Sequence, residues 1–214
     1  MNPEEPRDAA AFETDRSALI FIEFQNEWLD PDGALNRLMR DRPQFEAAVN
    51  NAARLLERAR AGGVRVVHAG LSLVDDPECL VFAKGENKSG LKGAIPRAGT
   101  WRDPERVRFA EPFVPRRGEF VVAGRSGASV LANSNLDPFL RNNRIDHLYL
   151  TGFALHVCVE STLRHAHDLG YEVTVVGDAA PAFTAGQRAH VLENIIHHFG
   201  AVITTDALLE RLPG

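Results

Sequence analysis

Short apolar runs alternate with segments of helical pattern along most of the chain. The apolar runs are rich in β-branched and aromatic residues and predict six strands, at residues 18–24, 64–69, 119–124, 147–153, 172–178 and 201–205. The segments between them predict helices at residues 43–63, 135–143, 157–169 and 184–200. This alternation predicts an α/β fold: a three-layer sandwich with a mostly parallel sheet of about six strands and helices on both faces.

Two segments do not follow this pattern. Residues 1–16 are polar and predict an N-terminal arm that precedes a single domain over residues 17–214. Residues 71–118 are rich in glycine, proline and charge, and their periodicity is weak. Because loops this long in a compact domain are usually functional or disordered, we interpret this segment as a lid or an oligomer-contact segment with short elements of its own.

The composition is that of an ordinary globular protein. Of the 214 residues, 44% are hydrophobic and 25% are charged, and the formal net charge is −5. This balance gives no reason to expect a nucleic-acid partner or a membrane partner, and no apolar run approaches the roughly 20 residues needed to span a bilayer. The acidic start, MNPEEPRDAAAFETD, lacks the apolar core of a signal peptide. With only two cysteines, Cys79 and Cys158, we expect a cytoplasmic protein in a reducing compartment.

Three reactive side chains follow predicted strands. Glu23 lies near the end of ALIFIEF, Arg125 follows EFVVAG, and Cys158 comes after HLYLTGF at the start of a predicted helix. Sites in open parallel sheets form beyond the carboxyl ends of the strands. If these three strands are neighbours, a carboxylate, a cation and a thiol therefore meet in one crevice.

This combination suits nucleophilic catalysis by a thiol. A helix N-terminus favours the thiolate of Cys158, and a nearby carboxylate such as Glu23 can take the thiol proton and deliver it to a leaving amine. A cation such as Arg125 can keep that carboxylate ionised. Backbone N–H groups in the turn before the helix can bind an oxyanion.

Each of these residues also has a purely structural interpretation. Cys158 alone is typical of a buried core thiol, Glu23 of a strand end that reaches solvent, and Arg125 of a surface residue or an ion-pair partner. His156 raises the alternative of a Cys–His pair, although neighbouring residues of an extended turn usually point apart. No histidines or carboxylates have convincing ligand spacing, so we expect neither a catalytic metal nor a cofactor.

The most distinctive segment of the chain is TGFALHVCVESTLRHAHDLGYEVTVVGDA, residues 151–179. It resembles a motif of the isochorismatase-like cysteine hydrolases, T-G-x-x-x-x-x-C-V-x-x-T-x-x-x-A-x-x-x-G-Y-x-V-x-x-V-x-D-A. ALIFIEFQNEW is similar to the family's opening strand, usually V-I-D-x-Q-N-D, and FVVAGRSGASVLANSNLDPFL to the segment that usually carries K-x-x-x-S-x-F. The resemblance extends over roughly residues 17–205, and the family includes nicotinamidases, N-carbamoylsarcosine amidases and isochorismatases.

The resemblance implies a Rossmann-like fold and a catalytic Asp–Lys–Cys triad. By position the nucleophile is Cys158, whereas Glu23 occupies the aspartate position and Arg125 the lysine position. The resemblance also implies a cis peptide between Phe153 and Ala154, with the backbone N–H groups of Ala154 and Cys158 as oxyanion donors. Arginine keeps the positive charge but spreads it over a planar fork. The replacement therefore suits an electrostatic role for the cation and does not suit proton transfer.

The resemblance favours a cysteine hydrolase that cleaves the C–N bond of a small amide, ureide or carbamoyl compound through a thioacyl-enzyme intermediate. Two alternatives stay open: a vinyl ether hydrolase of isochorismate type that needs no thiolate, and a catalytically altered member that binds a small ligand. The metal site of nicotinamidases is not recognisable after VRVVHAG, so nicotinamide is a poor candidate substrate. Members of the family commonly form homo-oligomers, so a dimer or tetramer is expected.

Basic residues in the 71–118 segment allow two interpretations. They could form a clamp for a substrate carboxylate, or they could belong to a solvated charged loop. The residues are Lys84, Lys88, Lys92, Arg97 and Arg102.

Overall fold

The computed structural model describes residues 12–82 and 89–214. Six strands form one sheet, in the spatial order β3-β2-β1-β4-β5-β6, and every neighbouring pair is parallel. Their bounds are β1 Ser17–Ile22, β2 Arg65–Ala69, β3 Phe120–Val121, β4 His147–Gly152, β5 Glu172–Val176 and β6 Ala201–Ile203. The predicted α/β fold with a parallel sheet is confirmed. The edge strand β3 is shorter than its apolar run, because Ala123 forms its hydrogen bonds with Asn135 instead of continuing the ladder with β2.

Seven α-helices accompany the sheet in the described part of the chain. They are α1 Asn26–Leu29, α2 Arg42–Ala61, α3 Leu91–Ala98, α4 Leu136–Asn142, α5 Glu160–Asp168, α6 Ala185–Asn194 and α7 Thr205–Arg211. The four predicted helices correspond to α2, α4, α5 and α6, and a π-helical turn, Leu155–Val159, leads into α5. None of the seven is long and apolar enough to cross a membrane.

The continuous apolar sequence of β1 follows from burial on both faces of the sheet. Leu19 and Phe21 belong to the core that includes α2 and α7, whereas Ala18, Ile20 and Ile22 belong to the core that includes α4, α5 and α6. Because successive side chains of a strand point to opposite faces, a strand covered by helices on both sides is apolar at nearly every position; Ser17, at the start of β1, is the exception. This arrangement is the three-layer sandwich that the sequence predicts.

The 71–118 segment is attached to the end of β1 by main-chain hydrogen bonds. The N–H groups of Asn26 and Glu27 donate to the carbonyls of Arg108 and Arg106, both at 2.9 Å. The Gln25 side chain bonds to both the N–H and the carbonyl of Leu71. The segment therefore covers the carboxyl end of the sheet, and its residues 83–88, which include Lys84 and Lys88, lie outside the described part of the chain.

Part of the predicted N-terminal arm packs on the domain. The ring of Phe12 is buried and lies 5.1 Å from the ring of Tyr149, and Arg16 forms an ion pair with Asp146. The remaining residues of that prediction, 1–11, lie outside the described part of the structure.

A buried network fixes the far end of the 71–118 segment where it enters β3. Glu119 accepts a hydrogen bond from Arg60 Nε of α2 at 2.7 Å and lies 2.8 Å from His68 Nε2 of β2. Burial opposes the ionisation of Glu119, but bonds from Arg60, the Arg116 N–H and His68 outweigh it and lower the pKa of Glu119 to about 2. Burial also lowers the pKa of His68.

The Glu119 network predicts a loss of stability in acid. A carboxyl whose folded-state pKa lies below its ordinary value of 4.5 contributes stability above that value, and the contribution disappears as the pH falls toward 2. Between pH 6 and pH 3 the wild type should therefore lose about 2 kcal/mol more unfolding free energy than Glu119→Gln, measured by urea denaturation. Asp146→Asn, which removes an exposed ion pair, is the control and should keep the wild-type pH dependence. Equal slopes for wild type and Glu119→Gln would contradict the assignment.

Gly152 allows the end of β4 to approach β1 closely. Its φ is +114°, and a Cβ at this position would lie 2.1 Å from the carbonyl oxygen of Ile22. Only glycine combines this backbone conformation with so close a contact. Gly152 thus determines how the chain leaves β4 toward Phe153.

Gly152→Ala should destabilise the fold by more than about 3 kcal/mol, because the added methyl group collides with the β1 backbone. Gly186→Ala, in the first turn of α6, is the matched control, since a Cβ there has no atom within 4 Å. It should leave stability unchanged or raise it slightly. Thermal unfolding of both variants measures the difference, and similar midpoints would refute the steric argument.

Candidate active site

The carboxylate, the cation and the thiol meet beyond the carboxyl ends of the strands. Glu23 directly follows β1, and Cys158 lies in the π-helical turn after β4, the parallel neighbour of β1. Arg125 follows β3, which is not a neighbour of β1 because β2 lies between them. The arginine reaches across the end of β2, where its Nη1 lies 3.5 Å from the carbonyl of Gly70. All three side chains therefore line one cavity.

Arg125 and Glu23 form a buried ion pair. Arg125 Nη2 lies 2.6 Å from Glu23 Oε1, and each side chain is 2% exposed. The guanidinium also donates to the carbonyls of Gly127 and Ala128, at 2.9 and 2.6 Å. The other carboxylate oxygen, Glu23 Oε2, accepts a hydrogen bond from Trp28 Nε1 at 2.9 Å. Both charges are thus held in fixed positions, as a buried pair requires.

The backbone at Glu23 is in the left-handed region, with a φ of 60°. A glutamate rarely adopts this conformation, and such outliers cluster at functional sites where the surroundings enforce them. Here the Glu23 N–H donates to Ala69 at the end of β2 at 2.8 Å, and the Gln25 N–H donates to the Glu23 carbonyl at 2.7 Å. The unusual conformation aims the carboxylate at the cavity instead of the core.

The Cys158 thiol is buried beside both charges. Burial raises the pKa of the thiol most strongly, Glu23 raises it further, and Arg125 lowers it, with a net shift upward. Burial lowers the pKa of Arg125, but Glu23 and Cys158 outweigh this and raise it. Cys158 is therefore a neutral thiol near pH 7, and Arg125 keeps its proton. A nucleophilic role for the sulfur requires a base, and Glu23 is the carboxylate beside it.

The turn between β4 and the π-helical turn presents a backbone donor to the cavity. The peptide bond between Phe153 and Ala154 is cis, and the Phe153 ring is buried against the rings of Trp28 and Phe24 at 5.2 and 5.1 Å. Ala154 and Cys158 both line the cavity. The Ala154 N–H is without a protein acceptor within residues 12–82 and 89–214.

The cavity has a volume of about 270 Å³, and most of its wall is apolar. Sequence reasoning identified Glu23, Arg125 and Cys158 but missed the residues that shape this wall. Those residues come from α1, the loop and 3-10 turn before α2, α3, the loop after α3, and the loop before α6; examples are Trp28, Leu38, Ile95, Trp101 and Phe183. The signal for Trp28 was its place in EFQNEW, five residues after the carboxylate.

The other candidate residues that the structure describes do not line the cavity. The His156 ring packs edge-on against Phe183 at 4.4 Å, and no contact joins it to Cys158 in the described structure. Lys92 donates to the carbonyls of Phe82 and Ser126, and none of Lys92, Arg97 and Arg102 lines the cavity. No group of three or more potential metal ligands occurs in residues 12–82 and 89–214.

A comparison with protein families places the chain in a known group. Residues 17–207 match the model of the Isochorismatase domain family. The chain belongs to the isochorismatase family. Ureidoacrylate amidohydrolase RutB of Yersinia enterocolitica is 33% identical to it over 211 residues, which cover 90% of this chain and 87% of that protein.

Solved structures show the same family fold. A cysteine hydrolase from Pseudomonas syringae pv. phaseolicola superposes with a TM-score of 0.82 at 22% identity, covering 98% of both chains. N-carbamoylsarcosine amidase from Thermoplasma acidophilum superposes with a TM-score of 0.63 at 25% identity, covering 89% of this chain and 97% of that one. The isochorismatase-family fold therefore extends over almost the whole of the present chain.

The ion pair predicts strong coupling between Arg125 and Glu23. Arg125→Met should destabilise the protein by about 3–5 kcal/mol because it leaves a buried carboxylate without its cation. The double variant Glu23→Gln/Arg125→Met removes both charges and should recover at least about 2 kcal/mol of that loss. Urea denaturation of the two single variants and the double variant measures the coupling. Arg16→Met, which breaks an exposed pair, is the control and should change stability by less than about 1 kcal/mol; additive effects at Arg125 and Glu23 would contradict the ion pair.

Proposed function

We propose that this isochorismatase-family protein is a cysteine amidohydrolase that cleaves the C–N bond of a small amide, ureide or carbamoyl compound. One observation carries the proposal: Glu23, Arg125 and Cys158 meet in a single cavity, which Ala154 also lines, and the N–H of Ala154 has no acceptor among the described residues. A thiol, a base, a cation and an oxyanion donor are the groups that acyl transfer requires.

In the first half-reaction Cys158 attacks the substrate carbonyl. Glu23 takes the proton from Sγ as the S–C bond forms, and the carbonyl oxygen gains the negative charge. The backbone N–H groups of Ala154 and Cys158 bind this oxyanion, an effect worth about 3–4 kcal/mol for a well-placed donor. The C–N bond then breaks, and Glu23 gives its proton to the leaving amine or ammonia, which produces the thioacyl enzyme.

In the second half-reaction water releases the acid. Glu23, ionised again, takes a proton from water as the oxygen attacks the thioester carbonyl. The second tetrahedral intermediate uses the same two N–H donors, and its collapse breaks the S–C bond. The proton on Glu23 returns to the sulfur, so Cys158 ends as the thiol with which it began.

Arg125 acts through its charge and its position. Its pKa is raised, so it keeps its proton throughout and does not serve as an acid. Its contact with Glu23 and its bonds to the carbonyls of Gly127 and Ala128 hold the base beside the sulfur. The positive charge also counters the negative charge that passes from Glu23 to the sulfur and the oxyanion.

The relatives support this class of reaction. The similar RutB is a ureidoacrylate amidohydrolase, and the structurally similar archaeal protein is an N-carbamoylsarcosine amidase. Both names describe hydrolysis next to a carbonyl that carries nitrogen. A vinyl ether hydrolase of isochorismate type would need Glu23 as a protonated acid, whereas Glu23 faces a cation and an N–H donor, the partners that suit a carboxylate.

The proposal predicts that turnover depends on Cys158. The wild type should release ammonia from members of a panel of primary amides and ureides and carry acyl mass on Cys158 in intact-protein mass spectra. Cys158→Ser and Glu23→Gln should each lose at least about 1,000-fold in kcat/KM, because the nucleophile or its base is missing. Cys79→Ser is the matched control, since this second free, buried cysteine does not line the cavity, and it should retain activity.

Two outcomes would overturn the proposal. Full turnover by Cys158→Ser would exclude a thioacyl intermediate and favour chemistry by Glu23 alone. No hydrolysis of any amide or ureide, together with no acyl adduct, would indicate a catalytically altered member that binds a ligand.

A further inference from the structure

Apart from the ion pair of Glu23 and Arg125, the described wall of the cavity at Cys158 carries no charged side chain. The ionisable side chains that line it are Glu23, Arg125 and Cys158, and the remaining described lining is almost wholly apolar. Arg125 is fully engaged, because its nitrogens contact Glu23 and the carbonyls of Gly70, Gly127 and Ala128. In the described structure the cavity thus offers no unpaired cation to a substrate carboxylate.

Helix α3 supplies an apolar stripe to this wall. Leu91, Ala94, Ile95 and Ala98 line the cavity, and their spacing of three, four and seven residues places them on one face of the helix. Lys92 projects elsewhere and donates to the carbonyls of Phe82 and Ser126 at 2.8 and 3.2 Å. The helix therefore presents hydrocarbon to the substrate and directs its lysine away from it.

Thr100 is the polar exception in the wall. It is 5% exposed, lines the cavity, and its Oγ1 has no hydrogen-bond partner among the residues that the structure describes. A buried hydroxyl without a partner is unfavourable and requires an explanation, and a ligand in the cavity would supply the missing partner. Thr100 lies just beyond α3, so the hydroxyl and the apolar stripe belong to the same wall.

We propose that the substrate is an uncharged amide or ureide whose substituent is mainly apolar, and that Thr100 Oγ1 hydrogen-bonds one of its polar atoms. The inference rests on the proposed function and adds the substrate class to it. A volume of about 270 Å³ is near the lower end for small-molecule sites, which start at roughly 300 Å³, so the substituent is small. A carboxylate against the described part of this wall would lose hydration without gaining a partner there.

This class differs from the substrate that the relative's name describes. Ureidoacrylate combines a ureide with a carboxylate, and RutB is its amidohydrolase. In the present cavity, Glu23, Cys158 and the Ala154 N–H are available to the ureide or amide group of a substrate. The rest of the substrate would contact hydrocarbon side chains. The chain would therefore share the reaction with RutB and differ from it in the group that it accepts beside the reacting carbonyl.

Two matched substrate pairs test the class. Hexanamide and adipamate differ by the replacement of a terminal methyl group with a carboxylate, and so do propylurea and 3-ureidopropionate. The wild type should show kcat/KM at least about tenfold higher for the neutral member of the pair that it hydrolyses. Preference for the carboxylate members would overturn the substrate class while the proposed function stands. Failure with all four compounds and with the wider amide panel would instead overturn the proposed function.

A positive charge introduced into the apolar wall tests whether the wall causes the preference for neutral substrates. Ala94→Arg places a cation on the cavity face of α3 and should reduce the preference for the neutral substrate at least about threefold by improving adipamate or 3-ureidopropionate. Ala61→Arg is the matched control, because Ala61 is exposed at the end of α2 and does not line the cavity. It should leave the ratio unchanged. An equal change in both variants would contradict a specific effect of the wall.

Thr100 is tested by two conservative variants. Thr100→Val keeps the shape but removes the hydroxyl, and it should raise KM for the neutral substrate about tenfold while kcat changes less. Thr100→Ser keeps the hydroxyl and should remain within about threefold of wild type. Since Oγ1 has no partner in the described protein, Thr100→Val should not lower the unfolding midpoint. An unchanged KM, or a loss of stability, would show that the hydroxyl serves the fold and not the substrate.

Discussion

The buried ion pair between Arg125 and Glu23 is the contact on which the rest of the site depends. Two charges that are 2% exposed persist only when each has a partner and further hydrogen bonds. The structure meets this requirement with the indole of Trp28 on one side and the carbonyls of Gly127 and Ala128 on the other. The ion pair and its hydrogen bonds thereby hold the chain at Glu23, at Trp28 and at Gly127 and Ala128 in fixed positions beside the sulfur of Cys158.

The sheet order explains why a long cation suits this position. β3 is separated from β1 by β2, so a residue after β3 must reach across a strand end to touch a residue after β1. Arg125 does so while it contacts Gly70, and its planar fork contacts a carboxylate and several carbonyls at once. The resemblance assigns aspartate and lysine to these two positions. Here both side chains are replaced together, which is consistent with a pair that works as a unit.

Much of the fold could be predicted because β1, β4 and β5 are buried over most of their length and are rich in β-branched, aromatic and other apolar residues. The three helices α1, α3 and α7 were missed. α1 has four residues, and α3 contains Pro96 and Gly93, so neither has a clear helical pattern. α7 has a local signal, since Thr204 caps it by accepting from the Ala207 N–H.

The candidate site also has a part that the sequence predicts and a part that it does not. Glu23, Arg125 and Cys158 could be found from their places after strands, whereas the apolar wall joins pieces that are distant in sequence, such as Leu38, Ile95 and Phe183. No periodicity connects them, because tertiary hydrogen bonds bring them together. The 71–118 segment that carries Ile95 is bonded to α1, and the Arg40 N–H, close to Leu38, donates to the carbonyl of Phe183. The specificity of a site built from loops is therefore the part that the sequence alone conceals.

Charge balance links the wall to the chemistry. The resting cavity holds one negative charge on Glu23, one positive charge on Arg125 and a neutral thiol whose pKa is raised. In the proposed reaction the negative charge moves to the sulfur and the oxyanion and returns to Glu23, so the total charge of the cavity stays constant. An apolar wall strengthens each of these short-range interactions, because it excludes the water that would screen them. A substrate carboxylate would add a second negative charge beside Arg125, which is already paired with Glu23. The described part of the wall, which assists the chemistry, would then oppose binding.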